Sequence, residues 1–202
     1  NILSHFYGIE TLNPNITKII RKGGKPERNY DTMRLFKKEF PEAFTYGNFI
    51  VGLTGDSAED IWDTAKLVCD EQLLTSGGTT ALRLYSQLQN EEIKSEMDKD
   101  PVKYGYTILD QKTINWDQIG YESDNWQNDW TNRTDASILN HQVDAYYRDN
   151  LPSLYTAHDY AMMKTLIPNV PIPQYNHMMM FAQGVQNGMM NQYISNKSKS
   201  ML

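Results

Sequence analysis

Apolar positions recur at helical spacing in several stretches of the chain. After Asp31, which can cap, Met33, Phe36 and Phe40 fall three and four apart and predict a helix over 32–40, ended by Pro41. After Ser57, the stripe Ile61, Ala65, Val68 and Gln72, with Trp62, Cys69 and Leu73 beside it, predicts the best-marked helix. Ser57 and Asp60 have the form of a capping box with Asp in place of Glu. Glu59, Asp60 and Asp63 sit where the positive end of the helix dipole favours them. Leu84, Tyr85 and Leu88 predict a further helix over about 80–98, which makes Ser76-Gly77-Gly78 the turn of a helical hairpin. Leu139, Val143, Tyr146 and Tyr147 mark a helix from Ser137 to about Asp149. Leu154, Tyr155, His158, Met162 and Leu166 mark another after Pro152. Residues 1–10 read as a short helical segment. Ile16, Ile19 and Ile20 make one or two helical turns closed by Gly23-Gly24.

Period two is clear once. Val102, Tyr104, Tyr106 and Ile108 alternate with Lys103, Gly105 and Thr107, a strand pattern, and Ile114 and Trp116 offer a return strand across a turn at 110–112. Phe49-Ile50-Val51, between Gly47 and Gly52, reads as a strand or a buried turn. The stretch 117–136 has no period but holds Trp126 and Trp130, so it reads as a contact arm whose rings dock on the body or on a neighbour. The expected fold is therefore mainly α, with a small β hairpin and long irregular loops or arms. A helical body covers 1–165, with the β ribbon near 102–116 and the arm near 117–136.

Residues 166–202 form a separate extension. Pro168, Pro171 and Pro173 fix an extended rod. Beyond it, Met178, Phe181, Val185 and Met189 form one helical stripe in a run without charge. Gly184 and Gly188 share a face, and each costs about 1 kcal/mol in a helix interior relative to Ala. Close approach of a second helix would offset that cost. Core packing within the chain is the competing use of the same stripe.

Composition changes this picture in three ways. Thirteen tyrosines and ten methionines suit surfaces that are wet in one state and buried in another, or an irregular core. Net charge is −6, but residues 1–50 carry eight basic and five acidic residues (+3), 51–150 carry eight and nineteen (−11), and 151–202 carry three and one (+2). Blocks of opposite sign can pair between copies or simply be solvated faces. A single cysteine, Cys69, excludes an internal disulfide framework, and its apolar neighbours predict a buried thiol. No 18-residue apolar window exists, so no membrane span is expected. No leader pattern is visible, and the start at Asn1 leaves the true N-terminus open.

Candidate chemistry is sparse. Lys18, Arg21, Lys22, Lys25, Arg28, Arg34, Lys37 and Lys38, interleaved with Tyr30 and Phe36, have the mixture that follows a phosphate backbone, although Glu27, Asp31 and Glu39 dilute it. Gly77-Gly78-Thr79-Thr80 lacks phosphate-loop spacing, and the acidic residues of 117–135 lack a calcium-loop register. His141 and His158, near Asp144 and Asp159, could form an acid–base pair or a metal site, but no ligand motif supports it. No catalytic, cofactor or metal residue is assigned.

The expected function is a structural subunit of a homo-oligomeric assembly, a virion part such as a phage neck or collar ring (a head–tail connector), associating with other structural proteins of the same particle. Trp126, Trp130, Met178, Phe181, Gly184, Val185, Gly188 and Met189 are the expected oligomer contacts. Localisation would be the virion, or otherwise the cytoplasm. The alternatives are a nucleic-acid-packaging coat or nucleoprotein using residues 18–38, and an enzyme with a His/Asp site.

Overall fold

The central element is an eight-residue strand, Phe44–Val51, whose run of aromatic and β-branched residues is buried or half-buried along its whole length. A computed structural model describes residues 4–20, 26–88, 91–92, 94–111 and 123–152, together with Gln174 and Met178. In it, β1 (Ser4–Glu10), β2 (Phe44–Val51) and β3 (Ser76–Ala81) lie side by side in that order and are all parallel. The expectation of a mainly α fold is thus overturned: helices and a parallel sheet share the architecture.

Parallel neighbours need crossover connections. Helices α1 (Pro14–Ile19) and α2 (Pro26–Glu39) link β1 to β2, and α3 (Ala58–Asp70) links β2 to β3. Crossovers of one hand that step one way along a sheet place their helices on one face. The contacts agree. Phe36 of α2 packs on His5 and Tyr7, with ring centroids 5.2 and 6.1 Å apart. Tyr147, from the long helix α5 (Arg133–Asn150, numbered after α4 below), packs on Phe49 at 6.0 Å. In the observed register Tyr7 lies beside Gly47, so Tyr7, Gly47 and Phe49 share that face.

Two local expectations failed for physical reasons. The segment read as a helix over 80–98 instead holds the end of β3, an irregular stretch, and the short helix α4 (Glu96–Lys99). Gly77 and Gly78 are not a turn. They are the small residues that β3 needs, because Gly78 lies under the Tyr46 hydroxyl and Gly77 against Tyr147 and Leu151. Leu84 and Leu88 are buried as expected, but from a loop held by two buried carboxylates. Asp98 accepts the Tyr85 amide at 2.7 Å, and Asp124 accepts the Ser86 amide at 2.7 Å and its hydroxyl at 2.5 Å.

The second failure is the ribbon. Val102–Tyr104 is a 3-10 turn, and Gly105 then takes a left-handed conformation, φ 85°. Only Thr107–Asp110 of it is a strand, β4, and it pairs antiparallel with β5 (Asn125–Gln127), inside the segment read as an unpatterned contact arm. Residues 114–116 lie outside the described residues. Smaller differences are that residues 4–10 are strand rather than helix, that α2 begins at Pro26, and that Asn132 rather than Ser137 caps α5, accepting the amides of Thr134 and Asp135. Ser57 caps α3 as expected, accepting the Asp60 amide at 3.1 Å. Among the described residues, no helix is long and apolar enough to cross a membrane.

Candidate functional site

The loop between β2 and α3, Gly52 to Ser57, leaves the sheet at its carboxyl end, where ligands of open parallel sheets bind. Gly52 adopts φ 106°, and a Cβ there would sit 2.5 Å from the Trp126 ring, so both conformation and space require glycine. Tyr106 and residues 126–130 grip this loop. The Tyr106 hydroxyl and the Asn128 side-chain amide donate to the Gly52 carbonyl at 3.1 and 3.0 Å. Tyr106 in turn accepts the Thr54 amide at 3.0 Å, and Trp130 Nε1 donates to the Leu53 carbonyl at 2.8 Å. Trp126 is fully buried, donates to the Leu82 carbonyl at 3.1 Å and meets Tyr106 edge-on.

Two titratable groups differ in kind, Asp56 in this loop and Cys69 in the last turn of α3. Asp56 is only 6 % exposed, and its Oδ2 has no hydrogen-bond partner. Burial, then the neighbouring Asp60 charge, push its carboxyl up to about 7, against a Ser57 backbone bond that pulls it down. Cys69, in α3, is buried as the sequence predicts, and desolvation followed by Asp70 pushes its thiol up to about 11. That is the setting of an inert structural thiol.

Beside the loop is a cavity of about 370 Å³. Ile20, Ile50, Leu53, Leu82 and Met97 make its walls, so α1, β2, the two segments leaving β2 and β3, and α4 all contribute. Glu10 and Glu96 also line it. Glu10 has φ 66°, an uncommon conformation for a residue with a side chain. Tyr104 lines it as well, and its buried hydroxyl has no partner. A second, polar cleft of about 240 Å³ lies between the end of β3 and the first turns of α5, lined by Arg83, Arg133, Ser137 and His141 among others.

The residues singled out in the sequence are dispersed. Trp126 and Trp130 are used by the chain's own core and loop, as described above. Met178 occupies a helical position and is 36 % exposed; Phe181, Gly184, Val185, Gly188 and Met189 lie outside the described residues. Of the basic set, Arg21, Lys22 and Lys25 also lie outside them, and Lys18, Arg28 and Lys38 are exposed. Arg34 pairs with Glu71 at 3.4 Å, Lys37 donates to the Glu71 carbonyl at 2.8 Å, and the Tyr30 hydroxyl bonds the Glu71 carboxylate. Asp144 is turned to structure: it accepts the Thr79 amide at 2.6 Å and hydroxyl at 2.8 Å. His141 is exposed, while His158 and Asp159 lie outside the described residues. Among the described residues, no three His, Cys, Asp or Glu side chains gather as a metal site.

One surface gained by the structure is the outer side of α2. Leu35 is 59 % exposed there, with Arg28 and Lys38 exposed on the same helix; Phe40, just past the helix end and 43 % exposed, packs instead on the inward-facing Phe36, with ring centroids 5.0 Å apart. The sequence hid the cavity because five separate elements build it. It also hid Tyr104 inside an apparent strand, and nothing local marks Glu10 as strained. No family model matches the chain, and no curated protein is similar to it.

Proposed function

We propose that this protein is a structural subunit that assembles with copies of itself, with the outer side of α2 as one half of the contact. The observation that carries this reading is Leu35, a large apolar side chain left 59 % exposed among charged residues of both signs, Asp31, Lys38 and Glu39. Apolar anchors flanked by charge are what an interface core and rim require. The partner surface is acidic. Glu59, Asp60 and Asp63 are exposed along the start of α3, and the block 51–150 carries a balance of −11. On α2 Arg28, Arg34, Lys37 and Lys38 outweigh Glu27, Asp31 and Glu39, and a patch of positive balance does not complement its own copy across a two-fold axis. It complements a different, acidic face of the next subunit, and such head-to-tail contacts close into rings or run on as filaments. A ring in a virion, such as a phage neck or collar, is the setting we propose for it, on composition and charge segregation.

Light scattering on the full chain tests this. The expected mass is a multiple of 23.4 kDa, falling to 23.4 kDa in Leu35→Asp. A wild-type chain that stays at 23.4 kDa at every concentration overturns self-assembly as the role.

A further inference from the structure

We infer that the polar cleft between the end of β3 and the first turns of α5 is a binding site for a small phosphate monoester. The cleft measures about 240 Å³. That is below the roughly 300–1,000 Å³ of drug-sized sites, so it suits a phosphate carrying a few carbons. One wall is the carboxyl end of an edge strand, the end at which ligands of open parallel sheets bind, and the other is one face of α5. Arg133, Ser137 and His141 recur every four residues, so their side chains stack along that face. Arg83, two residues past the last residue of β3, lines the cleft from the strand side.

The strand edge supplies a backbone donor. Leu82 gives its amide to the Val51 carbonyl of β2 at 2.8 Å, so the amide of Ala81, one residue earlier, points away from β2 toward the cleft it lines. Thr79, two residues before Ala81, points its amide to the same side. There it meets the Asp144 carboxylate at 2.6 Å, and the Thr79 hydroxyl adds a second bond at 2.8 Å. The fold therefore already seats one oxyanion of its own on this edge, and the cleft continues along it. A phosphate at Ala81 would sit about 7 Å further along the strand.

Two guanidinium groups set the sign of the ligand. Arg133 is half-buried and Arg83 is exposed. Arg83 also has a partner in the chain, so Arg133 is the fork assigned to the ligand and Arg83 adds its charge. A planar guanidinium binds a phosphate through two parallel N–H bonds. His141 is exposed at the rim and offers a ring N–H from the same helix. Ser137 is spent on structure, its hydroxyl donating to the Arg133 carbonyl at 2.9 Å. The Asp144 charge opposes a bound anion, but it is engaged by Thr79 and by the Asn140 side-chain amide at 3.3 Å. Donors that approach from strand and helix suit the three terminal oxygens of a monoester better than the two coplanar oxygens of a carboxylate. A diester in a nucleic-acid strand carries one charge, not two, and must lead its chain out of the cleft on both sides.

The Ala81 amide is the direct reporter. The full chain, labelled with 15N, is titrated with glycerol 3-phosphate, glycerate and an oligothymidylate strand without a terminal phosphate. Glycerol 3-phosphate should shift the Ala81 amide saturably. Glycerate should bind about tenfold more weakly, the worth of one charge-assisted hydrogen bond, and the strand more weakly than glycerol 3-phosphate. Arg133→Gln leaves the Asn132 cap and the Ser137 bond to the backbone carbonyl in place, and should weaken glycerol 3-phosphate by at least about tenfold. Arg133→Lys keeps the charge and loses the fork, so its affinity should fall between the two. Amide signals that match the wild type away from the cleft show that both variants are folded. The proposal is overturned if Ala81 does not shift saturably in the wild type, if glycerate or the strand binds as tightly as glycerol 3-phosphate, or if Arg133→Gln binds as the wild type does.

Discussion

Helices α2 and α3 do the same topological work and are used differently. Each is part of the crossover between adjacent parallel strands. The inner stripe of α3 is absorbed completely: Ile61, Ala65, Val68 and Cys69 are buried. Of α2, Met33 alone is fully buried. Phe36 is half-buried against β1, while Leu35 falls off the stripe and stays exposed. Apolar residues in register with the stripe are accounted for by the fold. An apolar residue out of register is not, and it is there that a partner is expected.

The sharpest way to break this comparison is to place the same charge on both helices. Val68→Asp puts a carboxylate into the core, at a position with no exposed surface. An unpaired buried charge costs several kcal/mol, comparable to the whole stability of a domain this size, about 5–15 kcal/mol. The expected outcome is loss of the cooperative unfolding transition in urea, read by far-UV circular dichroism. A variant that unfolds with the wild-type midpoint would mean that α3 is not a core helix.

The next effect is at the entrance to α3 and depends on pH. In the unfolded chain Asp56 titrates near its ordinary 3.8, and in the folded chain near 7. The folded form therefore holds the proton more tightly between these values. The stability tied to Asp56 is full below about pH 4, declines as pH rises through the interval, and is lost above about 7. Asp56→Asn removes the titrating group. Its midpoint should match the wild type at pH 4 and exceed it at pH 8, by up to a few kcal/mol, given that a pKa unit is about 1.4 kcal/mol. Equal midpoints at both pH values would show that the carboxyl is not held in a desolvated site.

These two helices also show what could be read in advance. The cap at Ser57, the stripe from Ile61 and the burial of Cys69 all depend on neighbours within a few residues, and all were legible. So was the stripe of α2. The parallel sheet was not, because its pairing joins Phe49 to Thr79 and Gly8 to Asn48, thirty and forty positions apart. Thr79 and Thr80 favour a strand, but Gly77-Gly78 has the local signature of a helix stop, and only Tyr46 and Tyr147 arriving from elsewhere explain why small residues stand there. Trp126 illustrates the same limit. Its unpatterned stretch left open whether the ring docks on the body or on a neighbour; it packs under the β2–α3 loop of its own chain. The cavity is wholly a product of tertiary arrangement, so no window of sequence could hold its signal.

The smallest effect on folding, and the most informative about function, is the counterpart on α2. Leu35 is more than half exposed, so Leu35→Asp gives up little burial, and surface substitutions away from caps and cores change stability by about 0.5 kcal/mol or less. The new carboxylate also falls four residues after Asp31 and four before Glu39, two mild like-charge spacings. The stability of the dissociated protein should therefore stay within about 1 kcal/mol of wild type. In the assembly the same residue would face an acidic surface, so one substitution should leave folding intact and abolish association. A large loss of folding stability instead would place Leu35 in the interior of its own chain, and the difference between the two helices would disappear.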